Sequence, residues 1–150
     1  MKKLISLFAI ALLASLSVFA QSSEQLSKIL KSEKVTFAEA SYLPAVYANL
    51  VSEESTEEEA FKALQDNGYF DAEITPDSQV NLSQLCNIYM KVFDIKGGLL
   101  YSIFKSPRYA FKEFKAISVL PSEADPSMAV SGRDSIDIFN CCLEISGGNE

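Results

Sequence analysis

Displaced by fifty residues, the chain falls on itself: AFKALQDNGYF at Ala60 meets AFKEFKAISVL at Ala110, and the register runs without a gap to Ile88 and Ile138. The identities are Ala60/Ala110, Phe61/Phe111, Lys62/Lys112, Glu73/Glu123, Pro76/Pro126, Val80/Val130 and Ile88/Ile138. A fixed period of this size points to a repeated supersecondary unit, each copy needing neighbours to bury its apolar face. One detail recurs three times. Val80-Asn81-x-x-Gln84, Val130-Ser131-x-x-Asp134 and the earlier Val35-Thr36-x-x-Glu39 share one layout. A side-chain oxygen at N-cap followed by an acid or amide at N3 is a capping box, and the preceding valine can staple the first turn. Thr36, Glu39, Asn81, Gln84, Ser131 and Asp134 are therefore expected as structural caps, each opening a helix.

Apolar spacing at i, i+3 and i+4 predicts helices almost throughout. Leu26, Ile29 and Leu30 mark one over 25–31. Phe37, Ala40, Leu43, Tyr47 and Leu50 give a stripe over 36–50, which Pro44 should kink or split. Thr56 and the run Glu57 to Glu59 open a third, with Ala60, Phe61 and Leu64 inward and Gly68 as its left-handed stop. A fourth spans 81–93, using Leu82, Leu85, Ile88, Tyr89 and Val92. Ser106-Pro107 starts a fifth that reaches about Val119 and buries Phe111, Phe114 and Ile117. The last runs from Ser131 to about Ile145, with Ile136, Phe139, Cys142 and Leu143 inward. Only Leu99 to Phe104 competes as a strand. The expected class is all-α: repeated helix-loop-helix units packed as a small pseudo-symmetric bundle, in one helical domain over 21–150 with units near 24–50, 57–93 and 106–145.

The first twenty residues, MKKLISLFAIALLASLSVFA, join Lys2 and Lys3 to an uncharged apolar run and small residues ahead of Gln21. That pattern is a secretory signal, and the MKK start and short core look bacterial. Its removal leaves eleven bases against twenty acids, a net −9, and a chain not integral to the membrane. The expected destination is the periplasm or cell surface. An oxidising compartment permits one bridge among Cys86, Cys141 and Cys142, while three buried thiols are the plain alternative.

In this arrangement the chain resembles the S-layer homology family of cell-envelope repeats. Its units pair a helix ending in an apolar-Gly turn with a Pro-containing loop. An apolar residue, Thr or Ser, and an acid three places on then open the second helix. Glu57 to Phe93 and Ser106 to Leu143 would be two such units, with Gln25 to Leu50 a shortened first, together covering nearly all of the mature chain. The resemblance implies a pseudo-threefold bundle and noncovalent attachment to cell-wall polymer. The family usually places a polymer-gripping Arg directly after the Thr or Ser; here those positions are Phe37, Leu82 and Gly132, with Arg133 one place later. The family's early Trp is also missing, and Tyr109 stands near its place in the last unit.

Chemistry narrows the functional classes. The chain has no His, which removes His-based triads, His zinc sites and His acid–base catalysis. A net charge of −7 and a pI near 4.6 argue against binding duplex nucleic acid. No phosphate-cradling G-x-x-x-x-G-K-[ST] loop occurs, nor a G-x-S-x-G elbow. Paired carboxylates, Asp134 with Asp137 and Glu57 to Glu59, read as solvated faces or dipole partners. Neither an enzyme, a metal site nor a cofactor is expected.

Charge is unevenly spread. Residues 51–81 hold nine acids and one Lys, whereas Lys91, Lys96, Lys105, Arg108, Lys112 and Lys115 face only Asp94 and Glu113 in the stretch 91–115. The spacing of Lys105, Arg108, Lys112 and Lys115 puts them on one helical face, a candidate docking strip with Tyr109 and Arg133 for an anionic glycan, phospholipid headgroups or an acidic partner. The leading expectation is an exported envelope-binding or structural module held by peptidoglycan, an anionic wall polymer or an envelope protein. The alternative is a small soluble periplasmic ligand-binding protein or inhibitor with an aromatic-lined groove, drawing on Tyr42, Tyr47, Tyr69, Phe70, Tyr89 and Tyr101.

Overall fold

A computed structural model describes residues 23–147; the proposed signal segment lies outside them. The described residues form seven helices and no strand: α1 (23–31), α2 (Phe37–Tyr47), α3 (Glu57–Asp66), α4 (Leu82–Val92), α5 (Leu99–Phe104), α6 (Pro107–Ala116) and α7 (Gly132–Gly147). The all-α class follows directly.

Local hydrogen bonding explains where the helices begin. At α2, Glu39 N donates to Thr36 Oγ1 at 3.2 Å and Thr36 N to Glu39 Oε2 at 2.9 Å. The same reciprocal box closes at Thr56 and Glu59, and at Asn81 and Gln84. Ser131 differs. Asp134 N donates to Ser131 Oγ at 3.1 Å, but the aspartate takes the serine hydroxyl at 2.6 Å. One methylene shorter than Glu, its carboxylate bonds the nearer group. Ser106 makes no side-chain cap bond; Pro107 has no N–H at the first helical position, and Ser106 O accepts Ala110 N at 3.0 Å.

Four helices end alike. Asn49, Gly68, Asp94 and Ser118 take positive φ of 56°, 75°, 46° and 61°. In each case the next amide reaches back into the last turn: Leu50 N to Ala45 O, Tyr69 N to Leu64 O, Ile95 N to Met90 O and Val119 N to Phe114 O, at 2.9–3.1 Å. These are Schellman stops, which satisfy carbonyls the helix leaves orphaned.

Packing revises two expectations and narrows a third. Of the kink or split expected at Pro44, the split does not occur: α2 runs on to Tyr47, and Pro44 O still accepts Ala48 N. Nor does α2 bury one stripe. Ala38, Ser41, Tyr42, Pro44 and Ala45 are buried with Phe37 and Ala40, while Leu43 and Leu50 are half-buried and Tyr47 is exposed. The reason is its position, packed on α3 and also against α4 and α7. Finally, α6 stops at Ala116, so Ile117 falls at the cap and is exposed rather than buried.

Helix α4 packs on α6, and Gly132 at the start of α7 presses on α1, where an added Cβ would lie 1.6 Å from Ile29 O. The capped helix starts meet near the centre. Val35, Val80 and Val130 are all buried, and Val35 N donates to Val130 O at 2.8 Å while Val80 N donates to Val35 O at 3.1 Å. Phe37 N reaches Ser78 O, Leu82 N reaches Met128 O, and Gly132 N reaches Ser32 O. Each first-turn amide thus finds its partner in another segment's loop.

Candidate functional site

Three members of the expected basic strip converge. Arg108, Lys112 and Lys115 of α6 line one groove of about 760 Å³ with Pro107, Phe111, Ser83 of α4 and Pro126 of the loop before α7. The spacing 4, 3 carries Arg108, Lys112 and Lys115 along one side of α6, and packing of α6 on α4 raises the opposite wall. Lys112 Nζ lies 5.6 Å from the Tyr109 ring centre, and Lys115 Nζ lies 5.4 Å from that of Phe111. Lys115 also donates to Ser122 O, tying the groove wall to the loop beyond α6. Arg108 and Lys112 remain exposed.

The other two cations stand elsewhere. Lys105 is not on α6: it ends α5 in the left-handed conformation, φ 41°, which turns it out of the shared face. It lines a separate groove of about 230 Å³ with Asp71, Asn87, Lys91 and Ser106. Arg133 is exposed in the first turn of α7, apart from the lining of the basic groove. In the Lys105 groove, Lys91 Nζ donates to Tyr69 O at 2.8 Å, and burial draws its pKa below the usual lysine value. Asn87 is buried there, with no hydrogen-bond partner for Oδ1.

A third groove, about 360 Å³, is apolar along Leu82, Val119, Leu120, Met128 and Ile138, with Asp134 and Asp137 at its edge. Asp134 accepts the hydroxyl of Ser131 in the first turn of α7, so its carboxylate is already engaged. Seven aromatics pack on one another: Tyr47, Tyr89, Phe93 and Phe139 form one cluster, and Phe37, Phe61 and Phe70 another.

Cys86, Cys141 and Cys142 are free thiols, the first and last buried. Burial pushes the Cys142 pKa up to about 12 and that of Cys86 higher still, so both are protonated at neutral pH. Ser102 and Lys105 have S-x-x-K spacing, but Ser102 Oγ donates to Gly98 O at 3.1 Å. Among the described residues no cluster of three or more Cys, Asp or Glu could hold a metal ion, and no helix is long and apolar enough to cross a membrane.

Sequence spacing found the cations but not the groove. Ser83 and Pro126 become walls only because α4 and the loop before α7 fold onto α6, and nothing local marks them. In comparisons with known families, characterised proteins and solved structures, no family model, no protein and no structure matches this chain.

Proposed function

We propose that the chain is an exported cell-envelope module, built of three S-layer-homology-like units, that attaches noncovalently to an anionic wall polymer. The observation that carries this reading is the groove of Arg108, Lys112 and Lys115: three cations beside Phe111, Pro107 and Pro126, in a chain whose net charge is −7. Cations pair with the acid groups of such a polymer, and the apolar floor suits the faces of sugar rings.

The arrangement of helices supports the repeat. With units near 24–50, 57–93 and 106–145, each unit's first helix lies on the second helix of the one before: α3 on α2, α6 on α4, and α1 against Gly132 of α7. The bonds Phe37 N to Ser78 O, Leu82 N to Met128 O and Gly132 N to Ser32 O run in the same cyclic sense. Two grooves share a lining as well. Leu120, Pro121, Ala124, Asp134, Asp137 and Ile138 stand fifty residues after Phe70, Asp71, Ile74, Gln84, Asn87 and Ile88. This favours a pseudo-threefold bundle.

The family's arginine positions hold buried Phe37 and Leu82, and a Gly132 with no room for any side chain. The charge on α6 would replace that grip. Peptidoglycan or an envelope protein presenting acidic groups is an equivalent occupant in chemistry. We assign no catalytic, metal or cofactor role. The groove along Leu82, Leu120 and Ile138 favours one second reading, a soluble carrier of a small apolar ligand.

Sedimentation with cell-wall sacculi that retain their anionic polymer separates the two readings. The parent protein is expected to pellet in low salt and to be released in 1 M salt, where the screening length falls to about 3 Å. Arg108→Glu combined with Lys112→Glu should remain in the supernatant. Equal pelleting of parent and variant retires the basic groove, and a parent that never pellets favours the soluble carrier.

A further inference from the structure

Helix α5 turns its apolar side outward. Leu99, Leu100, Ile103 and Phe104 are 76%, 48%, 63% and 58% exposed, and only Tyr101 is buried. Four large apolar side chains on two turns of helix are far more than the scattered single exposures normal on a protein surface, and such a patch marks a contact. The Phe104 ring stacks on Tyr109 at 5.2 Å, and Tyr109 carries Lys112 above its ring, so the patch continues onto α6. Cations border it. From Ile95 to Lys115 the chain holds Lys96, Lys105, Arg108, Lys112 and Lys115 against one acid, Glu113, whose carboxylate lies beside Gly98 at the start of α5, although the chain as a whole is strongly acidic. Lys96 is paired with Asp94, which leaves Lys105, Arg108 and Lys112 as the exposed rim.

We infer that α5 and the start of α6 form a docking edge for an anionic phospholipid surface, the apolar side chains entering the headgroup layer and the rim cations pairing with lipid phosphates. Apolar insertion flanked by Lys and Arg is how a peripheral surface binds anionic lipid. Charge decides against a second copy of this chain. A symmetric dimer through α5 would bring Lys105, Arg108 and Lys112 of both copies face to face, and like charges across an interface are costly. The inference goes beyond attachment to wall polymer: the apolar patch of α5 lies outside the basic groove, and Arg108 and Lys112 serve both surfaces.

The chain lacks Trp, so Phe104→Trp supplies a single indole reporter at the patch. With vesicles containing phosphatidylglycerol, its emission should shift to the blue and be quenched by brominated lipid; with phosphatidylcholine vesicles neither should occur. Adding Lys105→Glu and Lys112→Glu should weaken binding at least about tenfold. Leu99→Ser with Ile103→Asp should abolish vesicle binding yet leave wall sedimentation intact, because neither residue lines the basic groove. The inference is overturned by an unshifted emission with the acidic vesicles, by equal shifts with both lipids, or by a shift that needs only higher protein concentration. If Phe104→Trp does not fold, Ile103→Trp carries the same reporter, and the same outcomes apply.

Discussion

Helices α3 and α6 stand fifty residues apart in the sequence and bury residues at matching positions. Ala60, Phe61 and Leu64 are buried in α3, and Ala110, Phe111 and Phe114 in α6. Their starts and their outer faces are opposed. Helix α3 opens with a full capping box and three glutamates, the first of them buried and held by Lys28 at 2.7 Å. Helix α6 opens with a proline and no side-chain cap, and its outer side carries Arg108, Lys112 and Lys115. The inward face answers to packing and so stays constant. The outward face is free of that demand, and there the two helices part: one is an acidic solvated surface, the other a groove wall beside an exposed apolar turn.

The largest expected effects test the shared face. Leu64→Ala and Phe114→Ala each remove a fully buried side chain and should cost about 2–5 and 3–5 kcal/mol in urea unfolding. Losses of similar size would show that both helices are packed equally; a Phe114→Ala loss below about 1 kcal/mol would show that α6 is loosely held. The caps come next. Thr56→Ala should cost about 1 kcal/mol, since it deletes the hydrogen bond to Glu59 N, whereas Ser106→Ala should change stability by less than about 0.5 kcal/mol. Equal losses at the two sites would erase that contrast.

The smallest effect concerns the two stops. Gly68 and Ser118 hold the same left-handed position with the same back-bonds, but serine pays a steric cost there that glycine does not. Ser118→Gly should raise the unfolding midpoint slightly and Gly68→Ser lower it, each by about 1 kcal/mol or less. Opposite signs would mean that the backbone at 118 is set by something other than the stop.

Much of this was readable beforehand where the signal is local. The boxes at Thr36 and Asn81, the cap at Thr56 and the stop at Gly68 depend on atoms within a few residues, so spacing alone located them. Ser118 was harder to see, because a left-handed serine is tolerated only where the surrounding helix end requires it. Spacing also carries Lys105 onto the face of Arg108, Lys112 and Lys115, but Lys105 itself takes the left-handed conformation that ends α5. The run from Leu99 to Phe104 held a strand-or-helix ambiguity that six residues cannot resolve by periodicity.

By itself the sequence determined the helical class, most helix starts and the existence of a cationic stretch, since capping, propensity and charge act between near neighbours. The tertiary structure alone decided that α2 is enclosed on most sides, that Ser83 and Pro126 wall the basic groove, and that α5 leaves its apolar side uncovered. Those outcomes depend on which distant segments come together, and burial is a property of that meeting and not of any one stretch of chain.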